Sequence, residues 1–136
     1  MTLGETIGKR LEAFPEVLFA LLFGSRAERT ARPDSDLDLA LFLPPAMAAR
    51  ERLDRRLRIA AALEDLGPAD VVVLNDAPPL LAHRALRGVT VLMRDRKAYV
   101  RFFVRTLAEA EDERYWREIH RRARLERLKE GRFGRP

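Results

Sequence analysis

The chain runs Val17-Leu18-Phe19-Ala20-Leu21-Leu22-Phe23-Gly24-Ser25, then ten residues, then Asp36-Leu37-Asp38-Leu39-Ala40-Leu41-Phe42-Leu43. The first part is a short, wholly apolar run bounded by Pro15 and Gly24, which suits a strand buried on both faces. Gly24 to Ser35 is polar, with Pro33 as a turn marker. Leu37 to Leu43 alternates at its start, fades into an apolar run and is stopped by Pro44-Pro45, so it reads as a second strand. Before this unit, Thr2-Leu3-Gly4-Glu5 has the form of a capping box. Leu3, Ile7, Leu11 and Phe14 then recur at helical steps, predicting a helix over 2–14. After it, Ala46 to Leu66 carries Met47, Leu53, Leu57, Ala60, Ala61 and Leu63 at helical steps, with Gly67-Pro68 as its stop. Asp70 to Leu74 is a third strand, Pro78 to Arg87 a short helix, and Val89 to Met93 an edge strand. From Asp95 to Glu130 there is no Gly or Pro. One long helix, or two, is expected there.

The resulting order is helix, strand, strand, helix, strand, helix, strand, helix. It is an α/β (α+β) layout with a small mixed sheet of three to four strands, flanking helices and a long C-terminal helix. The length of 136 residues fits one core without disulfide staples, and no cysteine is present to make them. Thiolate metal sites and a cysteine nucleophile are thereby excluded, and a reducing, cytoplasmic setting is expected. The apolar runs of about seven residues fall well short of the ~20 that a membrane helix needs, and the N-terminus lacks the pattern of a signal peptide. The net charge of +5 is unevenly placed. Residues 1–93 hold 12 Lys/Arg against 13 Asp/Glu, whereas residues 94–136 hold 14 against 8. A near-neutral body over residues 1–94 therefore gives way to a basic helical extension over 95–136. Such an extension attracts polyanions or an acidic protein face, although acids interspersed at helical spacing also suit a solvated helix.

Two features of the body carry chemistry. Asp36 and Asp38 lie two apart at the start of the second strand, so alternation points both carboxylates the same way. Their repulsion turns to advantage when a hard divalent cation such as Mg²⁺ sits beside them. Asp70 opens the next strand, and if the two strands are neighbours it reaches the same edge. Gly24-Ser25 directly follows a buried strand, with Ser25 placed to cap a short helix and Glu28 at its third position. A helix N-terminus offers free N–H groups to a phosphate, and ordinary capping accounts for the same residues. Neither feature decides the chemistry when taken alone.

Together, Leu22-Phe23-Gly24-Ser25-Arg26-Ala27 and Arg32-Pro33-Asp34-Ser35-Asp36-Leu37-Asp38-Leu39 form Gly-Ser, ten residues, Asp-x-Asp. In this the chain resembles the minimal nucleotidyltransferases, the small DNA polymerase β-like group whose members pair with HEPN-domain ribonuclease toxins. The resemblance extends more loosely through Asp70-Val71-Val72 and Leu86-Arg87-Gly88, to about residue 93. It implies that Asp36 and Asp38 are the metal-binding pair and Asp70 the third carboxylate. It also implies that Gly24 and Ser25 hold the nucleotide triphosphate. Where relatives often carry Arg-Gly, this chain has Glu28-Arg29, and Arg26, Arg29 or Arg32 are candidates to restore the phosphate contact.

The activity so implied is transfer of AMP from ATP to an acceptor hydroxyl, with two Mg²⁺ ions. One ion, on Asp36, Asp38 and Asp70, lowers the pKa of the acceptor hydroxyl; the other, on Asp36, Asp38 and the triphosphate, neutralises the leaving pyrophosphate. Asp70 is the candidate base. The resemblance makes the acceptor a tyrosine of a cognate HEPN toxin and the chain an antitoxin. Two rivals are a module that neutralises its partner by docking alone, and a nucleic-acid binder using the basic tail. For the latter, Tyr99, Phe102, Phe103, Tyr115 and Trp116 could stack on bases. At helical spacing such aromatics more commonly face a core. A tail docked on a protein partner, or on a second copy, is preferred over a nucleic-acid arm. His83 and His120 are assigned no role in the site.

Overall fold

The computed structural model describes residues 1–24 and 36–131. The expected helix at Ser25, with Arg26 and Glu28, lies outside the described residues. In chain order the elements are α1 (Leu3–Arg10), β1 (Phe19–Phe23), β2 (Leu37–Phe42), α2 (Ala49–Ala62), β3 (Ala69–Val73), α3 (Pro79–Leu86), β4 (Val89–Met93) and α4 (Arg96–Lys129). The sheet order is β3-β2-β1-β4, with β1 antiparallel to both β2 and β4, and β2 parallel to β3. The antiparallel neighbours β1 and β2 need only a loop between them, but the parallel pair β2 and β3 needs a crossover, and α2 supplies it; β4 returns to the far side of β1 after α3.

Helices cover both faces of the sheet. Leu37, Leu39 and Leu41 of β2 and Val71 and Val73 of β3 pack with Ile7 and Leu11 from the α1 side and Ile59 and Leu63 from the α2 side. Ala40 and Phe42 of β2 and Val72 of β3 face the other way, toward Ala82, Ala85 and Leu86 of the α3 segment and Phe102 of α4. All five residues of β1 are buried, as a run apolar on both faces requires.

Local chemistry fixes the ends of the elements. The Thr2 hydroxyl accepts from the Glu5 N–H at 3.1 Å, so half of the expected capping box forms. α1 ends at Arg10 in a 3₁₀ turn, Leu11–Ala13, rather than running to residue 14. α2 begins at Ala49, later than expected, because the Met47 N–H closes a turn onto the Pro44 carbonyl at 2.9 Å. Asn75 clamps Leu43 after β2, accepting from its N–H at 3.0 Å and donating to its carbonyl at 2.8 Å. Arg52 of α2 forks onto the Asp76 carboxylate at 2.9 and 2.8 Å, which ties the crossover helix to the turn after β3.

α4 is one helix of 34 residues, capped by Asp95, whose carboxylate accepts from the Ala98 N–H at 3.0 Å. Just before it, the Arg94 guanidinium donates to the carbonyls of Phe14, Val17 and Leu11 at 2.8, 2.9 and 3.2 Å, so the start of the helix is bolted to the segment between α1 and β1. Phe102, Thr106 and Ala110 form its buried stripe at four-residue steps. Phe42 lies 5.0 Å from both Phe19 and Phe102, and Tyr99 meets Phe19 edge-on at 5.2 Å. Tyr99, Phe102 and Phe103 are therefore core aromatics. Tyr115 and Trp116 are not: they are 64% and 58% exposed, because the helix has by then passed the sheet. At 1.5 Å per residue α4 continues about 29 Å beyond Ala110.

Candidate active site

Three strands bring the candidate residues into one row. Asp38 is the register partner of Phe23 on β1 and of Asp70 on β3. Because Leu37, Leu39, Val71 and Val73 face the α1/α2 side, alternation turns Asp38 and Asp70 together toward the α3 side. Asp36 immediately precedes β2 and is exposed, as is Asp70, while Asp38 is half-buried. Gly24, next along from Phe23, has φ of +75°, a conformation that side chains resist. A Cβ there would collide with Asp38 Oδ2 and lie 3.1 Å from its Cγ, so the absence of a side chain at Gly24 is what admits the carboxylate.

The electrostatics follow from this crowding. The Asp38 carboxyl is held above its ordinary value, first by burial, then by the negative charge of Asp70, with Asp36 adding to the effect. The charge of Arg84 opposes that rise. Arg84 stands on α3 with its guanidinium carbon 6.0 Å from the centroid of the Phe23 ring. Sequence reasoning missed this residue. The available signal was that Arg84 is the one Lys or Arg between Arg58 and Arg87, on the helix that follows the strand bearing Asp70.

The structure thus brings Gly24, Asp38 and Asp70 side by side, with Asp36 at their margin. Among the described residues no group of three or more His, Cys, Asp or Glu side chains closes into a metal cage. Ser25 and Arg26 lie outside the described residues. The donors present are carboxylate oxygens, which suit Mg²⁺ rather than a soft metal. Gly88 supports the arrangement from behind, since its backbone lies against the Leu22 carbonyl and a Cβ would come to 2.8 Å from Phe23 Cβ.

Residues 5–97 match the polymerase beta nucleotidyltransferase family, and the chain belongs to that family. No curated protein matches it in sequence. Similar solved structures share the fold at low identity. A chain of a toxin–antitoxin structure with AMP-PNP is 21% identical, with a TM-score of 0.70 over 91% of this chain and 99% of that one. A chain of the MntA-HepT toxin–antitoxin structure is 20% identical, with a TM-score of 0.65 over 92% of this chain and 99% of that one. A chain from the structure of tri-AMPylated Shewanella oneidensis HEPN toxin in complex with MNT antitoxin is 19% identical, with a TM-score of 0.64 over 90% and 95% of the two chains. Coverage this high takes in much of α4, so the long helix is part of the shared fold. No helix among the described residues is long and apolar enough to cross a membrane.

Proposed function

We propose that this chain is an antitoxin of the minimal nucleotidyltransferase group, which transfers AMP from ATP to a tyrosine hydroxyl of a HEPN-domain toxin in the cytoplasm. The observation that carries the reading is the row of Gly24, Asp38 and Asp70 on adjacent strands, facing Arg84. Family membership supports nucleotidyl transfer, and similar folds solved with AMP-PNP and with an AMPylated HEPN toxin support the donor and the acceptor.

In this reading Gly24 and Ser25 receive the triphosphate through backbone N–H groups, with Arg26 adding positive charge. Asp36, Asp38 and Asp70 hold Mg²⁺, which supplies charge neutralisation at the pyrophosphate and a lowered pKa at the acceptor hydroxyl. The acceptor oxygen forms its bond to the α-phosphorus as the bond from that phosphorus to the bridging oxygen breaks. Pyrophosphate leaves with the electron pair, and the hydroxyl proton passes to the Asp70 carboxylate. Arg84 balances part of the carboxylate charge. The body over residues 1–94 carries the chemistry, and the extension over 95–136 carries a docking surface on its exposed outer half.

Incubation with ATP, Mg²⁺ and the HEPN partner should add AMP to that partner, seen as a mass increase on the intact protein. Asp70→Asn should suppress transfer more than it weakens ATP binding. A partner that is inhibited but never modified would replace this reading with neutralisation by docking alone.

A further inference from the structure

β3 ends the sheet, with β2 on one side and no strand among the described residues on the other. The Leu37 N–H donates to the Pro68 carbonyl at 2.8 Å, so Pro68 points toward β2. By alternation the N–H and C=O groups of Asp70 and Val72 also point toward β2, and those of Ala69 and Val71, with the Val73 N–H, point to the open edge; the Val73 carbonyl is taken up by the 3₁₀ turn Leu74–Asp76. Natural proteins usually blunt such an edge, because it templates pairing with another chain. Here it forms the floor of a groove of about 320 Å³, walled by Leu53 and Arg56 from α2 and by Leu81 from α3. Leu53 is 47% exposed, so the groove presents apolar surface beside backbone groups that no strand among the described residues pairs.

The groove does not stand apart from the candidate site. Asp70 lines it and is also the register partner of Asp38. Across the sheet the order is Gly24 at the end of β1, Asp38 on β2, Asp70 on β3, then the open edge. With the triphosphate at Gly24, the acceptor must approach from the opposite side, which is the side of Asp70 and the groove.

The geometry points to the open edge of β3 as the acceptor site: an extended segment of the protein acceptor adds as a strand between α2 and α3 and delivers its hydroxyl to Asp70. The inference rests on the transferase reading above and names how that reaction chooses its substrate. Backbone pairing to Ala69, Val71 and the Val73 N–H supplies register, and alternate side chains of the segment meet Leu53 on one wall and Leu81 on the other. Five paired residues cover about 17 Å, the length of β3. A nucleic acid fits this edge poorly, because the groove offers one arginine, Arg56, beside Asp70 and Asp76 rather than a basic stripe.

Two measurements on the full chain test this, with the HEPN partner as probe. Hydrogen exchange over residues 69–73 should slow when the partner is added, while exchange over β4, the other edge, should not. Leu53→Glu should raise the KM for the partner at least tenfold and leave the ATP dissociation constant unchanged; Arg56→Glu serves as a second variant on the same wall. Protection on β4 alone, or modification of the partner by both variants with unaltered KM, overturns the edge site while leaving the transferase reading intact. Protection that rises with protein concentration in the absence of partner identifies a second copy as the occupant and also overturns it. If the wild-type chain binds ATP yet modifies no partner, the transferase reading falls and the acceptor site falls with it.

Discussion

Gly24→Ala tests the site at its tightest point. Two costs add. Placing alanine at φ +75° costs about 1–2 kcal/mol, since an L side chain crowds the following carbonyl there. The new Cβ also overlaps Asp38 Oδ2 and sits 3.1 Å from Cγ, so the carboxylate must rotate away, at about 0.5–1.5 kcal/mol for an off-rotamer side chain. The expected loss is about 1.5–3.5 kcal/mol, read by urea denaturation, and the thermal midpoint should fall by roughly 5–14 °C for a domain of this size. The chemistry should suffer more, because displacement of a positioning group by about 1 Å can cost on the order of 10²-fold in rate. Gly131 gives the comparison: its φ is +73° with no atom within 4 Å of an added Cβ, so Gly131→Ala should leave ATP binding unchanged. The double variant Gly24→Ala, Asp38→Ala separates the two costs, since deleting the carboxylate removes the collision and leaves the backbone term. If Gly24→Ala costs the same stability with and without the Asp38 carboxylate, the contact is not the reason for glycine and the reasoning fails.

Three further outcomes follow. Asp38→Asn should lose Mg²⁺-dependent ATP binding yet be more stable than wild type at neutral pH. The raised carboxyl means that wild type loses stability as pH rises through that value, so the advantage of the variant should vanish at pH values below the ordinary carboxylate range; denaturation at two pH values checks the sign. Gly88→Ala forces a Cβ against the Leu22 carbonyl and Phe23, and should cost about 1–3 kcal/mol while lowering ATP affinity through displacement of Gly24; equal affinity would mean that this packing does not reach the site. Truncation after Ala110, the last buried residue of α4, should shift the thermal midpoint by only a few degrees and weaken association with the HEPN partner; loss of RNA binding with unchanged partner affinity would instead make the tail a nucleic-acid arm.

Much of the fold was legible because short apolar runs and helical steps alternate between Pro and Gly stops, and each strand and helix so read over the described residues exists. The ends were less so. α2 starts late because Pro44 and Met47 form a turn, and α1 stops early in a 3₁₀ turn, both decided by individual backbone bonds rather than by periodicity. Helical spacing also could not tell Phe102 from Trp116. Both recur at suitable steps, but only the first lies where the sheet offers a partner. Arg84 was illegible for the same reason, since its meaning comes from α3 lying over the face that carries Asp38.

The placement of Asp70 shows how packing enforces chemistry. Alternation alone says that Asp70 and Val72 share a face; it does not say which face, nor which residue of β2 lies beside them. Burial decides both. Val71 and Val73 are buried against the α2 side, and a slip of β3 by one residue would pull them out of that packing, put the Asp70 carboxylate in their place and turn Asp70 away from Asp38. Placing an aspartate in that apolar layer without a partner costs more than the repulsion between two partly solvated carboxylates across the strands, so packing opposes the slip. The apolar registry therefore holds the acids together against their own charge. That is why two carboxylates can be held side by side at the end of this sheet.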